Sequence, residues 1–199
     1  MTSDVELLGV GFCALWDMSS LDYVQDIFRR IRQTKRDTFT DRMARFWADQ
    51  TVEHEFEPLE IGISKNKVVN DGLVRVAELV TGTVGLNSGF QQSTGFFSYN
   101  AVGSGTNPVS ASDYQLQAEV ARVGLADSGF QTAAGQIMRF GGFYAPSTVS
   151  CTVNESGVFD DPNSGVMLYR TVFPLGQGIT HTVNVDFFSV AHSIYQYSV

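Results

Sequence analysis

From residue 96 onward the chain is a succession of short apolar runs, each closed by turn residues, and that pattern leaves few folds open. Phe96 to Gly103, Ile137 to Ala145, Thr148 to Asn154, Met167 to Phe173 and Ile179 to Val190 read as strands. Between them stand Asp160-Asp161-Pro162-Asn163-Ser164-Gly165 and Pro174 to Gly178, both ordinary turn chemistry. Strands and turns at this spacing, with no fixed-period repeat, predict a β-sandwich or barrel. Composition agrees: 19 Gly supply turns, 15 Phe supply buried sheet faces, and only 17% of residues are charged. The expected fold is mainly β over about residues 50 to 190, with a few short helices and an N-terminal helical or arm extension.

Two helices are expected inside this region. Asn70 or Asp71 can cap one over 71–81, where Leu73, Val76, Ala77 and Val80 share a face and Gly82 ends it. Ser112-x-x-Gln115 has the form of a capping box and predicts another over 112–121, carrying Leu116 and Val120. Val52, His54 and Phe56 alternate with Glu53, Glu55 and Glu57, and Leu59, Ile61 and Ile63 continue the alternation past Pro58. That is a half-buried strand pair or one bent strand, with Pro58 at an edge or bulge. Residues 82–95 are rich in Gly, Ser and Gln and read as a surface loop.

Residues 1–50 have a different character and are expected to form an attachment unit ahead of a β-rich module over 51–199. Leu7 to Trp16 is an apolar strand or arm. Ser19-Ser20 then caps an amphipathic helix over about 20 to 33, with Leu21, Val24, Phe28 and Ile31 on one face. Residues 29–45 hold seven of the 13 basic side chains against two acids, a local +5 within a chain of net −8. Three readings compete for this run: a solvated face, a docking patch for an acidic neighbour, and contact with packaged DNA. The overall acidity speaks against a general nucleic-acid binder. The residues expected to dock are Leu7, Leu8, Phe12, Trp16, Arg29, Arg30, Arg32 and Arg36. Asp4 and Glu6 replace the basic start of an export signal, and the apolar run of about ten residues is too short to span a membrane. Cys13 and Cys151 lack ligand spacing, which leaves two free thiols or one disulfide.

Three separated segments carry a resemblance. They are Lys65-Asn66-Lys67-Val68-Val69-Asn70-Asp71-Gly72-Leu73, then Ser98 to Arg122 with its Gly103-Ser104-Gly105 turn and Glu119-x-x-Arg122, then Glu155-Ser156-Gly157-Val158-Phe159 followed by Arg170. In this order and spacing they resemble a module recurrent in virion proteins of tailed bacteriophages, over roughly residues 60 to 188. The resemblance implies a structural virion part made in the host cytoplasm, a homo-oligomer held among other virion proteins. A neck, collar or tail-attached part, a capsid decoration part and a baseplate or fibre-base adaptor all fit. It also implies that Asn66, Asn70, Gly72, Gly103, Gly105, Glu119, Arg122, Glu155, Gly157 and Arg170 are architectural.

No catalytic or cofactor-binding set can be assembled, so no enzyme and no cofactor or metal are expected. Gly103-Ser104-Gly105-Thr106 could pass for a phosphate cradle, but Asn107-Pro108 follows where a P-loop needs Lys and Ser or Thr. His54, His181 and His192 are far apart in sequence, and the oxygens of the 160–165 turn lack the closing Glu of a calcium loop. A receptor- or glycan-binding β-domain is the competing class, with Trp16, Trp47 and the 85–95 loop as its candidate surface.

Overall fold

The computed structural model describes residues 5–22, 59–81, 96–125, 127–130, 136–174 and 178–198. The chain is mainly β. Its elements run β1 (Val5–Asp17), a 3-10 turn (Met18–Ser20), β2 (Glu60–Val68), α1 (Asn70–Thr81), β3 (Tyr99–Gly103), β4 (Glu119–Gly124), β5 (Asp127–Phe130), β6 (Gln136–Tyr144), β7 (Cys151–Val153), β8 (Glu155–Phe159), β9 (Met167–Val172), β10 (Ile179–His181) and β11 (Asp186–Ser198).

Among the described residues, nine strands form one antiparallel sheet in the order β4-β3-β8-β9-β2-β1-β11-β6-β5, and β7 pairs with β10 in a small second sheet. Strands β4 and β5 stand at opposite ends of that order, yet residues 125–126 alone separate them. Three Cα steps reach at most about 11 Å. The sheet therefore curls until its two edges approach each other, a barrel-like closure. Across the curl, the Tyr144 hydroxyl of β6 donates to the Asn100 carbonyl of β3 at 2.9 Å, with its side-chain oxygen at 2.7 Å.

Alternation along the strands sorts side chains between the two faces. Inside the curl lie Cys13, Leu15, Val102, Tyr144, Val153, Phe173, Ile179, Phe188 and Val190. Phe188 stacks on Tyr144 with ring centroids 4.3 Å apart. Outside, Ala101, Phe159 and Met167 pack with Val69 and with Leu116 from the segment between β3 and β4. Ala101 and Val102 are sequence neighbours in opposite clusters, so β3 is covered on both faces. Every residue of β8 is buried for the same reason.

Four expectations need correction. Residues 5–17 do not stand apart from the β-rich module, because β1 is an interior strand, paired with β11 from Val5↔Ser198 to Asp17↔Asp186 and with β2 from Gly9↔Asn66 to Leu15↔Glu60. Leu7, Leu8 and Phe12 hold positions on this strand, and Trp16 is buried against Phe187, so the apolar run is sheet and not a free arm. Cys13, Ala14, Leu15 and Trp16 are buried in succession, so this part of β1 is covered on both faces. No helix forms over 112–121. The amides of Gln117 and Ala118 donate to the Glu155 carboxylate in place of carbonyls four residues back. The run from Ile179 is broken at residues 182–185, where Asp186 accepts from the Thr182 amide at 2.9 Å and Asn184 takes φ 60°. Finally, the expected apolar face of α1 turns inward only in part; Val76 packs on a core cluster, but Leu73 and Val80 are exposed, while Arg75 and Glu78 are buried. Arg29, Arg30, Arg32, Arg36, Trp47, His54 and the 82–95 loop lie outside the described residues.

Helix α1 lies tight on β9. A Cβ on Gly72 would stand 2.6 Å from the Leu168 Cα and would overlap its carbonyl. Gly72→Ala is expected to force the helix off the strand and to cost about 1–3 kcal/mol. Thermal melting checks this, and an unchanged midpoint would contradict the packing described.

Candidate functional site

Of the residues that carry the resemblance, Gly103, Gly105, Glu155, Gly157 and Arg170 meet on the outer face of β3, β8 and β9. Glu155 on β8 is wholly buried. Its Oε1 accepts from the amides of Gly105 at 3.1 Å and Ala118 at 2.7 Å. Its Oε2 accepts from the amide of Gln117 at 3.1 Å and from Arg170 Nε at 2.7 Å. Arg170, on the neighbouring strand in register with Gly157, extends Nη1 to Asp113 Oδ2 at 2.9 Å. Asp113 also receives the Ser110 amide, and the Gln117 side-chain oxygen receives the amides of Thr106 and Asn107.

This network explains the Gly-Ser-Gly turn. Strands β3 and β4 pair directly, and residues 104–118 form the long loop that joins them. Such a loop leaves many backbone amides to satisfy. Glu155, Gln117 and Asp113 satisfy six of them between them. The turn does cradle an anion, and the anion is the chain's own carboxylate. Side chains at Gly103 and Gly105 are excluded: a Cβ at Gly103 would stand 2.7 Å from Glu155 Oε1, and one at Gly105 would stand 2.6 Å from Gln117 Cβ. Gly157 is held close in the same way, for a Cβ there would stand 3.0 Å from the Tyr169 carbonyl oxygen.

Glu119 and Arg122 make a second node at the rim. Arg122 grips Glu119 with Nε at 2.9 Å and Nη2 at 2.7 Å. Its Nη1 donates to the carbonyls of Asp161 and Ser164, and its guanidinium lies 3.7 Å over the Phe159 ring. This fastens β4 to the 160–165 turn. Asp161 accepts from the amides of Asn163 and Ser164, which hold its carboxyl below the usual range. Asn70 opens α1 with its amide on the Ala111 carbonyl at 2.8 Å. Asn66 sits on β2 with both side-chain amide atoms buried and no hydrogen-bond partner among the described residues.

Two buried nodes had no sequence forecast. Arg75 of α1 bonds Asp160 Oδ2 and Glu78 Oε2, each at 3.1 Å, while Asp160 Oδ1 accepts from the Val166 amide. The i,i+3 spacing of Arg75 and Glu78 was a visible signal; the third partner, 85 residues away, was not. His181 places Nδ1 2.6 Å from Asp186 Oδ1 and Nε2 3.0 Å from the Thr148 carbonyl.

Among the described residues no group of three or more His, Cys, Asp or Glu is placed to hold a metal ion. Asp160 and Asp161 of the 160–165 turn are engaged by N–H donors. Cys13 and Cys151 are both free. Burial, with a smaller contribution from Cys151, pushes the Cys13 thiol well up, and burial raises Cys151, so neither is an activated nucleophile. No described helix is long and apolar enough to cross a membrane.

Comparison with known proteins finds nothing similar: no family model, no curated protein and no solved structure matches this chain. Its functional reading rests on the residues themselves.

Proposed function

We propose that the chain is a non-enzymatic structural component of a tailed-phage virion, a neck, collar or tail-attached part held in place by subunit contacts. The observation that supports this reading is the Glu155–Arg170 node. Residues that resemble the virion module in sequence are spent on holding strands and a loop in position. Their carboxylates and guanidinium groups bond one another and backbone amides or carbonyls. Ionisable groups committed in this way serve architecture better than acid–base chemistry, which needs a group free to exchange a proton with a substrate. Other virion proteins are the partners this implies, and the particle is the location.

The test is quantitative mass spectrometry of purified particles of a phage that encodes the chain, with reconstruction of those particles. The expected result is a fixed integer copy number and density for the nine-stranded sheet at the neck or tail. Density on the capsid shell would assign a decoration role instead. Absence from particles would reject the virion reading.

A further inference from the structure

His181 sits between two acceptors. It is 1% exposed and lies beside the Phe188 ring. Its Nε2 stands 3.0 Å from the Thr148 carbonyl oxygen and its Nδ1 2.6 Å from Asp186 Oδ1. A carbonyl oxygen only accepts, so Nε2 carries a hydrogen. Asp186 Oδ1 also accepts from the Thr182 amide at 2.9 Å, as a carboxylate oxygen does. A neutral imidazole has one N–H. With that hydrogen on Nε2, a bare lone pair would face the Asp186 carboxylate oxygen. A separation this short fits a charge-assisted N–H···O bond instead.

We propose that the folded chain holds His181 as an imidazolium, and that its second proton clasps the 146–150 loop to the 182–185 corner. Two further bonds join the same segments. The Asn184 amide donates to the Pro146 carbonyl at 2.8 Å, and the Val183 amide donates to the Ser150 hydroxyl at 3.0 Å. Neither involves a titrating group; the histidine link does. A ring with one hydrogen serves Thr148 or Asp186 and not both. The elements packed against β10 are β7, β11, β1 and β2. Their described titratable side chains are Cys151 on β7, Asp186 on β11, Cys13 and Asp17 on β1, and Glu60, Lys65 and Lys67 on β2. Burial keeps both thiols uncharged, and likewise the Tyr144 phenol stacked on Phe188. Asp17 pairs with Asp186 across β1 and β11, and Glu60 pairs with Leu15, the register partner of Phe188. Lys65 and Lys67 pair with Val10 and Arg170, toward the other end of β2. The charges at the His181 end are therefore carboxylates, which favour a cation beside them. This inference stands apart from the virion reading and does not need it.

Long-range 1H–15N correlation NMR on the full chain tests it. At about pH 7.5, where a free imidazole is mostly neutral, both His181 nitrogens should give the signature of protonated nitrogens. His181→Gln assigns the signals. Asp186→Asn removes the counter-charge and should return one nitrogen to the unprotonated signature. One bare ring nitrogen in the wild type overturns the proposal. Stability gives a second reading. Above about pH 6.5 the unfolded histidine has lost a proton that the folded one keeps, so folding takes up a proton and stability falls as pH rises. One proton is worth about tenfold in the folding equilibrium constant per pH unit. Urea denaturation at two pH values about one unit apart, both above about pH 7, should show that constant falling up to about tenfold further in the wild type than in His181→Gln. Equal falls overturn the proposal. The NMR reading rests on the wild type, so it decides the matter even where His181→Gln does not fold.

Discussion

Glu155→Ala should leave a chain that barely folds. The substitution strands Arg170 in the interior with Asp113 alone and takes the acceptor from the amides of Gly105, Gln117 and Ala118. Breaking a buried ion pair by removing one partner costs about 3–5 kcal/mol. For a chain of this length that is a fall of roughly 6–20 °C in melting temperature. Differential scanning calorimetry of the purified variant measures it. The companion experiment separates the charge from the packing. Glu155→Leu combined with Arg170→Met removes both charges, and it should recover part of the loss that Glu155→Leu suffers alone. A single mutant as stable as the wild type would mean that the node is incidental to the fold.

Trp16→Ala should be nearly as damaging. Trp16 is 1% exposed, on an interior strand, with its ring stacked on Phe187 at 6.4 Å. Truncation of a buried tryptophan costs about 3–5 kcal/mol. Urea denaturation reads this directly as a lower midpoint. The sequence reading of Trp16 as a docking residue predicts the opposite: an unchanged midpoint with lost assembly. The arginine run at 29–36 keeps its docking expectation, which the position of Trp16 in the sheet leaves untouched.

What the sequence made legible, and what it hid, follows from the range of the forces involved. Periodicity is local, so α1 was expected over 71–81 and is found at Asn70–Thr81, and β9 was expected from Met167 and begins there. Which face of a helix turns inward is a tertiary matter. Leu73, Val76, Ala77 and Val80 looked like one core face, yet only Val76 packs on a core cluster, because nothing nearby in sequence shows that Arg75 has Asp160 waiting for it. The expected helix at 112–121 failed similarly. Ser112 and Gln115 have capping-box form, but Glu155 offers the amides of Gln117 and Ala118 a stronger, charged acceptor from 37–38 residues further along. Motif spacing did better than propensity here. It pointed to Gly103, Gly105, Glu155 and Arg170, which meet in space, although it gave no sign that Asp113 would join them.

The pairing of β1 with β11 bears on how the molecule comes into being. Strand β11 sits between β1 and β6, in register with β1 along its full length, from Val5↔Ser198 to Asp17↔Asp186. Strand β1 is therefore made long before the strand it pairs with. Hairpins such as β8–β9 can form early from neighbouring sequence, but the sheet cannot join its two halves until translation has passed β11. Contacts this distant in the chain close slowly, because the loop entropy is lost before the pairing rewards it. Until then β1 presents an open edge of apolar sequence, the kind of surface that invites wrong partners. A chain interrupted before β11 would leave β1 paired only with β2 and β6 only with β5, each with one edge open.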